Sequence, residues 1–274
     1  MNMKMAINTV TIKPVPFLEK LRLISGAGFS GVGLWMEEVE AYSKGANAKP
    51  IKELLAGYQL APVEMQLIRR WQYLTGIERK QAFDEAKDFF MRFSKLGLDC
   101  PVVVLPPEEI AGEIRNAIKD FRELCGLAGE FGVRVMFEFT GWAKQFHTVK
   151  LAWEVVREAN CPNGGMLIDT FHVIKGGSSI EDLKQVSMDK VFLIHVNDVK
   201  TLPLGIKEQS RGFRFFPGEG EAPLKEIVGC FVEKNYRGFY CIEIFNEKYW
   251  TEDPATIVSK SKKSMEALFS SVAR

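Results

Sequence analysis

Histidine is scarce in this chain of 274 residues: there are three, His147, His172 and His195. Net charge is almost absent too, because Lys+Arg 36 against Asp+Glu 35 leaves a formal +1. A chain so balanced has no net field to draw it to phosphate backbones or anionic lipid, which disfavours a nucleic-acid or membrane-surface role. The five cysteines, Cys100, Cys125, Cys161, Cys230 and Cys241, are odd in number and include no C-x-x-C pair. They read as reduced, mostly buried thiols, not as a disulfide frame. No run approaches the ~18 apolar residues of a membrane span, and MNMKMAINTV lacks the apolar core of a signal peptide. No Gly/Ser/Pro-rich linker or low-complexity tract divides the chain. The expectation is a soluble, cytoplasmic protein with one domain over 1–274, its core built from the 46% of residues that are hydrophobic.

Short β-rich runs alternate with longer segments of helical period from one end of the chain to the other. MAINTV opens as a strand and a helix follows from Val15 to Ala27. GVGLW (31–35) is a second strand, followed by a polar loop and a short helix around Ile51 to Tyr58. LAPVEMQLI is the third strand, starting either before Pro62 or just after it. In the next, long helix Phe83, Ala86, Phe90 and Phe93 recur every three or four residues, the spacing that lays side chains along one buried stripe. CPVVVL (100–105) is a strand of the kind covered on both faces, and its helix carries Ile110, Ile114, Ile118, Phe121 and Cys125. The unit then repeats as VRVMFEF, GMLIDTF, VFLIHVND and FYCIEIF, each with a helix after it. These helices run through Leu151 and Val155, open at Ser178 or Ser179, open near Pro223, and open with Asp253 as cap and Pro254 in the first turn. Eight β-then-α units of this length predict a closed (β/α)8 TIM barrel of α/β class, with an open doubly wound sheet as the competitor.

The last four strands end alike, in an apolar run closed by a group able to bind a metal: Glu138 in MFEF, Asp169 in LIDTF, His195 in LIHVND and Glu243 in CIEIF. In a barrel the carboxyl ends of the strands converge on one mouth, so consecutive strands bring these four side chains together. Taken singly, each is an ordinary loop residue or helix cap; the coincidence at four successive strands is what points to function. Three crowded carboxylates need a cation between them, and three carboxylates with one imidazole suit Mn²⁺, Co²⁺, Mg²⁺ or Zn²⁺. His172, three beyond Asp169, is expected in the loop above the mouth as a substrate contact, and Asp198, three beyond His195, as a partner of His195 or a further ligand. His147 falls at a helix start and reads as structural. A long loop follows the His195 strand, and in it Arg214 is placed to bring a guanidinium to an anionic oxygen. Glu64 and Gln66 alternate on the third strand and could face the interior. Arg69 and Arg70 are receptors if the substrate is a phosphate ester and surface charges if it is neutral, and Trp35, Trp142 and Phe171 are candidates for the face of a sugar ring.

With those residues in place the sequence resembles the xylose-isomerase-like barrel family of sugar isomerases and epimerases. Its pattern runs E, D-x-x-H, H-x-x-D, R-x-x-P-G-x-G, E. Here these are Glu138, Asp169 with His172, His195 with Asp198, Arg214 with Pro217, Gly218 and Gly220, and Glu243. FEFTGW, IDTFHVIKGGSSIEDLKQ, LPLGI and EIFNEKYW are most similar to inosose (2-keto-myo-inositol) isomerases. Asn8 resembles an asparagine of that subgroup, and Trp142 stands where its pattern carries a histidine. The resemblance implies a divalent-metal-dependent isomerase or epimerase of a keto-sugar or inosose, of the kind found in inositol catabolism. In it Glu138 and Glu243 serve as acid/base pair and as metal ligands, and a cis-enediolate is stabilised by His172 and Arg214, with Asp198, Asn8, Trp142 and Gln66 also at the substrate. Dehydration on the same site, a hydroxypyruvate isomerase and a non-catalytic sugar-binding barrel are the alternatives. An abasic-site nuclease on this barrel needs more histidines than three. The expected partner is a small keto-sugar or inosose, without nucleic acid or membrane, and a homo-oligomer stays open.

Overall fold

In the computed structural model, which describes residues 3–272, eight parallel strands close into a barrel in sequence order. The strands are β1 (Lys4–Asn8), β2 (Gly31–Trp35), β3 (Ala61–Ile68), β4 (Val102–Val104), β5 (Val135–Glu138), β6 (Gly164–Asp169), β7 (Val191–Val196) and β8 (Phe239–Ile242). Around them lie α1 (Phe17–Gly26), α2 (Met36–Ser43), α3 (Ile51–Gly57), α4 (Gly76–Ser94), α5 (Ile114–Gly129), α6 (Val149–Ala159), α7 (Thr170–Lys175), α8 (Ile180–Gln185), α9 (Ile206–Gly212), α10 (Leu224–Glu233) and α11 (Pro254–Val272). β1 pairs with both β2 and β8, which rules out the open sheet. None of the helices among the described residues is long and apolar enough to cross a membrane.

Two apolar layers hold the barrel. Outward-facing strand residues such as Ile7, Val32, Val135, Ile168 and Ile242 pack against the helices. Inward-facing Ala6, Val63, Val103, Met136, Leu167, Leu193 and Cys241 fill the lumen as a separate cluster. Because a strand repeats every two residues, the next inward positions after Ala6, Met136, Leu167, Leu193 and Cys241 are Asn8, Glu138, Asp169, His195 and Glu243. The lumen is apolar below and polar one layer higher, at the carboxyl ends of the strands.

Several boundaries differ from the sequence expectation. The first strand ends at Asn8, whose side chain accepts a hydrogen bond from Val10 N and caps a 3₁₀ turn over Thr9–Ile12. MEEVEAYS, expected as polar loop, forms α2, with Glu37 and Glu38 in its first turn complementing the helix dipole while Met36 and Val39 are buried. Pro62 lies inside β3, where it opposes Val32; β4 pairs only from Met65 onward, so the missing proline N–H leaves that ladder intact. Ile110 is 40% exposed and precedes α5, which starts at Ile114 after the loop that contains Pro106 and Pro107. The loop after β7 contains a helix of its own, α9. Ser179 opens α8 with a capping box to Asp182, and Asp253 accepts from Thr256 N at the start of α11, both as expected.

Candidate metal and catalytic site

Glu138, Asp169, His195 and Glu243 each present a ligand atom within 4.8 Å of the other three, and all four are buried. Register explains the meeting: Asp169 lies directly opposite His195 in the β6–β7 ladder, His195 opposite Cys241 in β7–β8, and Glu243 follows two residues later.

Behind His195 stands Glu64. Its Oε1 is 3.0 Å from His195 Nε2 and 2.7 Å from Asn8 Nδ2, while its Oε2 accepts from Gln66 Nε2 at 2.9 Å. A carboxylate surrounded by donors acts as acceptor, so the imidazole carries a hydrogen on Nε2 and turns Nδ1 inward. That Nδ1 has no hydrogen-bond partner and lies 3.2 Å from Glu243 Oε2 and 3.8 Å from Asp169 Oδ2. A bare lone pair facing two carboxylate oxygens is repulsive, so positive charge belongs there, as a proton on Nδ1 or as a cation among the carboxylates. Burial opposes a charged ring, yet the carboxylates of Glu243 and Glu64 outweigh it and hold the His195 pKa well above its usual value. These donors fit a divalent cation: three carboxylates and an imidazole nitrogen, with no thiolate in the set. Gly33 makes the arrangement sterically possible, since a Cβ there would lie 2.2 Å from Glu64 Oε1 and 2.9 Å from Asn8 Nδ2.

Arg214 is the other counter-charge. Its Nη1 donates to Asp169 Oδ2 at 2.7 Å and Glu243 Oε2 at 2.8 Å, while Nε and Nη2 are held by the carbonyl and hydroxyl of Ser210. The guanidinium lies between the rings of Phe171 and Phe245, each centroid 5.1 Å away. The three carboxyls then separate in proton affinity. Burial pushes Glu138 well above the usual carboxylate range, and Glu243 and Asp169 add to it. Burial would also raise Asp169, but Arg214 first, then His172 and His195, hold it well below. Glu243 is lowered because His195 and Arg214 outweigh its burial.

His172 is not in a loop; it sits on α7, which begins at once because Asp169 Oδ1 accepts from Phe171 N and caps it. Its Nδ1 accepts from Gly141 N at 3.3 Å, so Nε2–H points toward Glu138 Oε1 at 3.7 Å and Asp169 Oδ2 at 3.8 Å. Burial drives its pKa down to about 4, which leaves a neutral ring that donates. The Trp142 ring stands edge-on to it, 5.1 Å between centroids.

A cleft of about 260 Å³ opens above these groups, lined among others by Glu138, His172, Arg214, Glu243, Trp142, Gln66 and Trp35. Three expected contact residues are elsewhere. Asp198 touches neither His195 nor the cleft: Oδ1 accepts from Val199 N and Ala222 N, and Oδ2 from Gly218 N and Gly220 N, at 2.8–3.0 Å. It is the organising centre of the P-G-x-G turn, and a Cβ at position 220 would fall 2.3 Å from its Oδ1. Asn8 is consumed by Glu64, Val10 and the Trp35 indole. Phe171 packs under Arg214 and does not line the cleft. Sequence reasoning missed Asn197, whose Nδ2 donates to Asp169 Oδ1 at 2.9 Å, and Ser210, four residues before Arg214. The only signal for either was proximity to a named ligand or cation.

A sequence model of the family described as Xylose isomerase-like TIM barrel matches residues 21–268. The 3-dehydroshikimate dehydratase of Pseudomonas putida is 27% identical over 90% of this chain, which spans 39% of that protein. The inosose isomerase of Halalkalibacterium halodurans is 27% identical, over 78% of this chain and 77% of that protein. The solved structure of an IOLI protein with a binding zinc atom superposes with a TM-score of 0.87 at 22% identity, covering 98% of both chains. The closed barrel and a match across nearly the whole sequence together show that the chain belongs to the xylose isomerase-like TIM barrel family.

Proposed function

We propose that this protein is a divalent-metal-dependent isomerase or epimerase that moves a proton at the carbon beside the carbonyl of a keto-sugar or inosose. The observation that carries the reading is the convergence of Glu138, Asp169, Glu243 and the Nδ1 of His195 at the carboxyl ends of the strands, beside a cleft that Glu138 and Glu243 line. The inosose isomerase relative and the zinc in the IOLI structure support it. A divalent ion held by these four residues, Mn²⁺, Co²⁺, Mg²⁺ or Zn²⁺, would supply Lewis acidity to the carbonyl and so acidify the neighbouring C–H.

Around that centre the chain's own groups divide the proton work. Burial raises the proton affinity of Glu138 while His195 and Arg214 lower that of Glu243, so the two carboxyls are differentiated for acid and base work. His172 Nε2–H and the Arg214 guanidinium are preorganised donors for charge that develops on substrate oxygen. Trp142 and Trp35 wall the cleft against water and offer faces to a ring. Gln66, held by Glu64, presents its amide to the same space. Five unpaired, buried thiols fit a reducing compartment such as the cytoplasm.

A second reading, dehydration of a cyclic keto compound, is favoured by the match of 90% of this chain to a 3-dehydroshikimate dehydratase. It needs the same proton abstraction followed by loss of a β-hydroxyl. The test is a panel of inososes, keto-sugars and 3-dehydroshikimate in D₂O with Mn²⁺, followed by proton NMR. Deuterium entering next to the carbonyl without loss of water supports isomerisation or epimerisation, and a new double bond supports dehydration. Neither result with any compound, on protein shown to bind Mn²⁺, rejects both.

A further inference from the structure

Two walls of the cleft belong to different loops. Thr140 and Trp142, after β5, form part of one, and Ser210 and Arg211, on α9 after β7, form part of the other. Glu108, in the loop after β4, lines a neighbouring chamber and not the cleft, yet it reaches both walls. Its Oε2 pairs with Lys207 Nζ and its Oε1 lies 3.6 Å from Arg211 Nη2, both on α9. On the other side its backbone carbonyl accepts from Lys144 N at 2.7 Å, and its carboxylate is within reach of the indole N–H of Trp142.

The loops after β4 and β5 are also sutured to each other, since Gly112 N donates to Gln145 Oε1 at 2.8 Å and Gln145 Nε2 to Gly112 O at 2.9 Å. Among the described residues no other side-chain hydrogen bond or ion pair ties α9 to these two loops. An isolated surface ion pair would matter little, but here three donors meet one carboxylate that is 28% exposed. Burial would raise its pKa; Lys207 first, then Trp142 and Arg211, hold it below its usual value. The wall it holds is the one that governs His172. Gly141 N donates to His172 Nδ1 at 3.3 Å, and the Trp142 ring stands edge-on to the same imidazole.

We propose that Glu108 is a positioning residue that straps α9 to the loops after β4 and β5, setting the width of the cleft mouth and holding Trp142 against His172. It acts through Trp142 and α9 and not on the substrate. The use of His172 as a donor rests on the proton-transfer reading; the strap does not.

The test is hydrogen exchange read by mass spectrometry, together with acrylamide quenching of Trp142, taken as the difference between each protein and its Trp142→Phe counterpart. In Glu108→Ala, exchange should rise about fivefold in peptides covering 200–213, and the Trp142 quenching constant about twofold. Glu108→Gln keeps an acceptor for the indole but loses the charge that holds Lys207 and Arg211. It should loosen 200–213 as much and leave the quenching close to that of the parent. Exchange in the strands and Mn²⁺ affinity should stay unchanged in both variants, because Glu108 bonds to none of the four ligand residues. Exchange that rises only within 105–113, or quenching unchanged in Glu108→Ala, reduces these contacts to ordinary surface pairs and overturns the proposal. A rise in exchange throughout the strands makes Glu108 a residue of general stability and also overturns it. No substrate enters these measurements, so their failure is distinct from failure of the proton-transfer reading, which the D₂O panel decides.

Discussion

Glu64→Gln isolates the group behind His195. The amide keeps the shape of the carboxylate, which receives His195 Nε2, Asn8 Nδ2 and Gln66 Nε2. With its oxygen left toward His195 and Asn8, the new NH₂ meets Gln66, whose own amide can turn to accept, so the fold survives. What disappears is the negative charge that makes Nδ1 basic. Loss of such a partner lowers metal affinity about 10–100-fold, or about 1.4–2.7 kcal/mol. Without the ion the sign is different, because Glu64, Glu138, Asp169 and Glu243 share one buried volume with Arg214 and His195 as counter-charges. Removing one negative charge relieves that crowding, and the ion-free Tm should stay within about 2 °C of the parent. The rise in Tm on adding saturating Mn²⁺ should therefore shrink by roughly 3–10 °C. Isothermal titration with Mn²⁺ and differential scanning of ion-free and loaded protein measure the two halves separately. An unchanged Mn²⁺ affinity in a well-folded E64Q would refute the assignment of the Nδ1 lone pair to the cluster.

Gly33→Ala drives a methyl group into Glu64 Oε1 and should lower Mn²⁺ affinity about as much as E64Q. The two changes together should cost little more than either alone, which a double-mutant titration reads directly. Arg214→Ala leaves Asp169 and Glu243 without their buried cation and should destabilise the ion-free protein by about 3–5 kcal/mol in urea unfolding. Mn²⁺ should recover more stability in that variant than in the parent; equal recovery would mean that the guanidinium and the ion do not neutralise the same charges. Asp198→Asn sets an amide against at least one backbone donor and should cost about 2 kcal/mol. Its Mn²⁺ affinity should move less than about threefold, and a larger loss would make Asp198 a ligand after all.

The barrel was legible because its signals repeat. Val103, Met136, Leu167 and Leu193 recur at equivalent inward positions of successive strands, and an apolar run with a polar end survives every uncertainty about where a strand starts. The errors lie where a single local interaction decides the outcome. Asn8 stops β1 by capping the turn that follows, and MEEVEAYS is helical because its few apolar residues find the barrel wall. Both depend on tertiary partners that periodicity cannot register.

For the site, spacing and valence were separable, and only spacing was visible. The four strand ends converge because period two and parallel register force residues of one type of position to one height, and that follows from the sequence alone. Asp198 and Asn8 stand at equally suggestive spacings, yet their hydrogen-bonding capacity is spent on loop amides and on Glu64. Glu64 carried the weaker signal, and it meets the imidazole on the side away from the cluster. A polar residue near a mouth becomes functional when an atom is left over after the fold has used the rest. Among the four converging side chains that atom is His195 Nδ1.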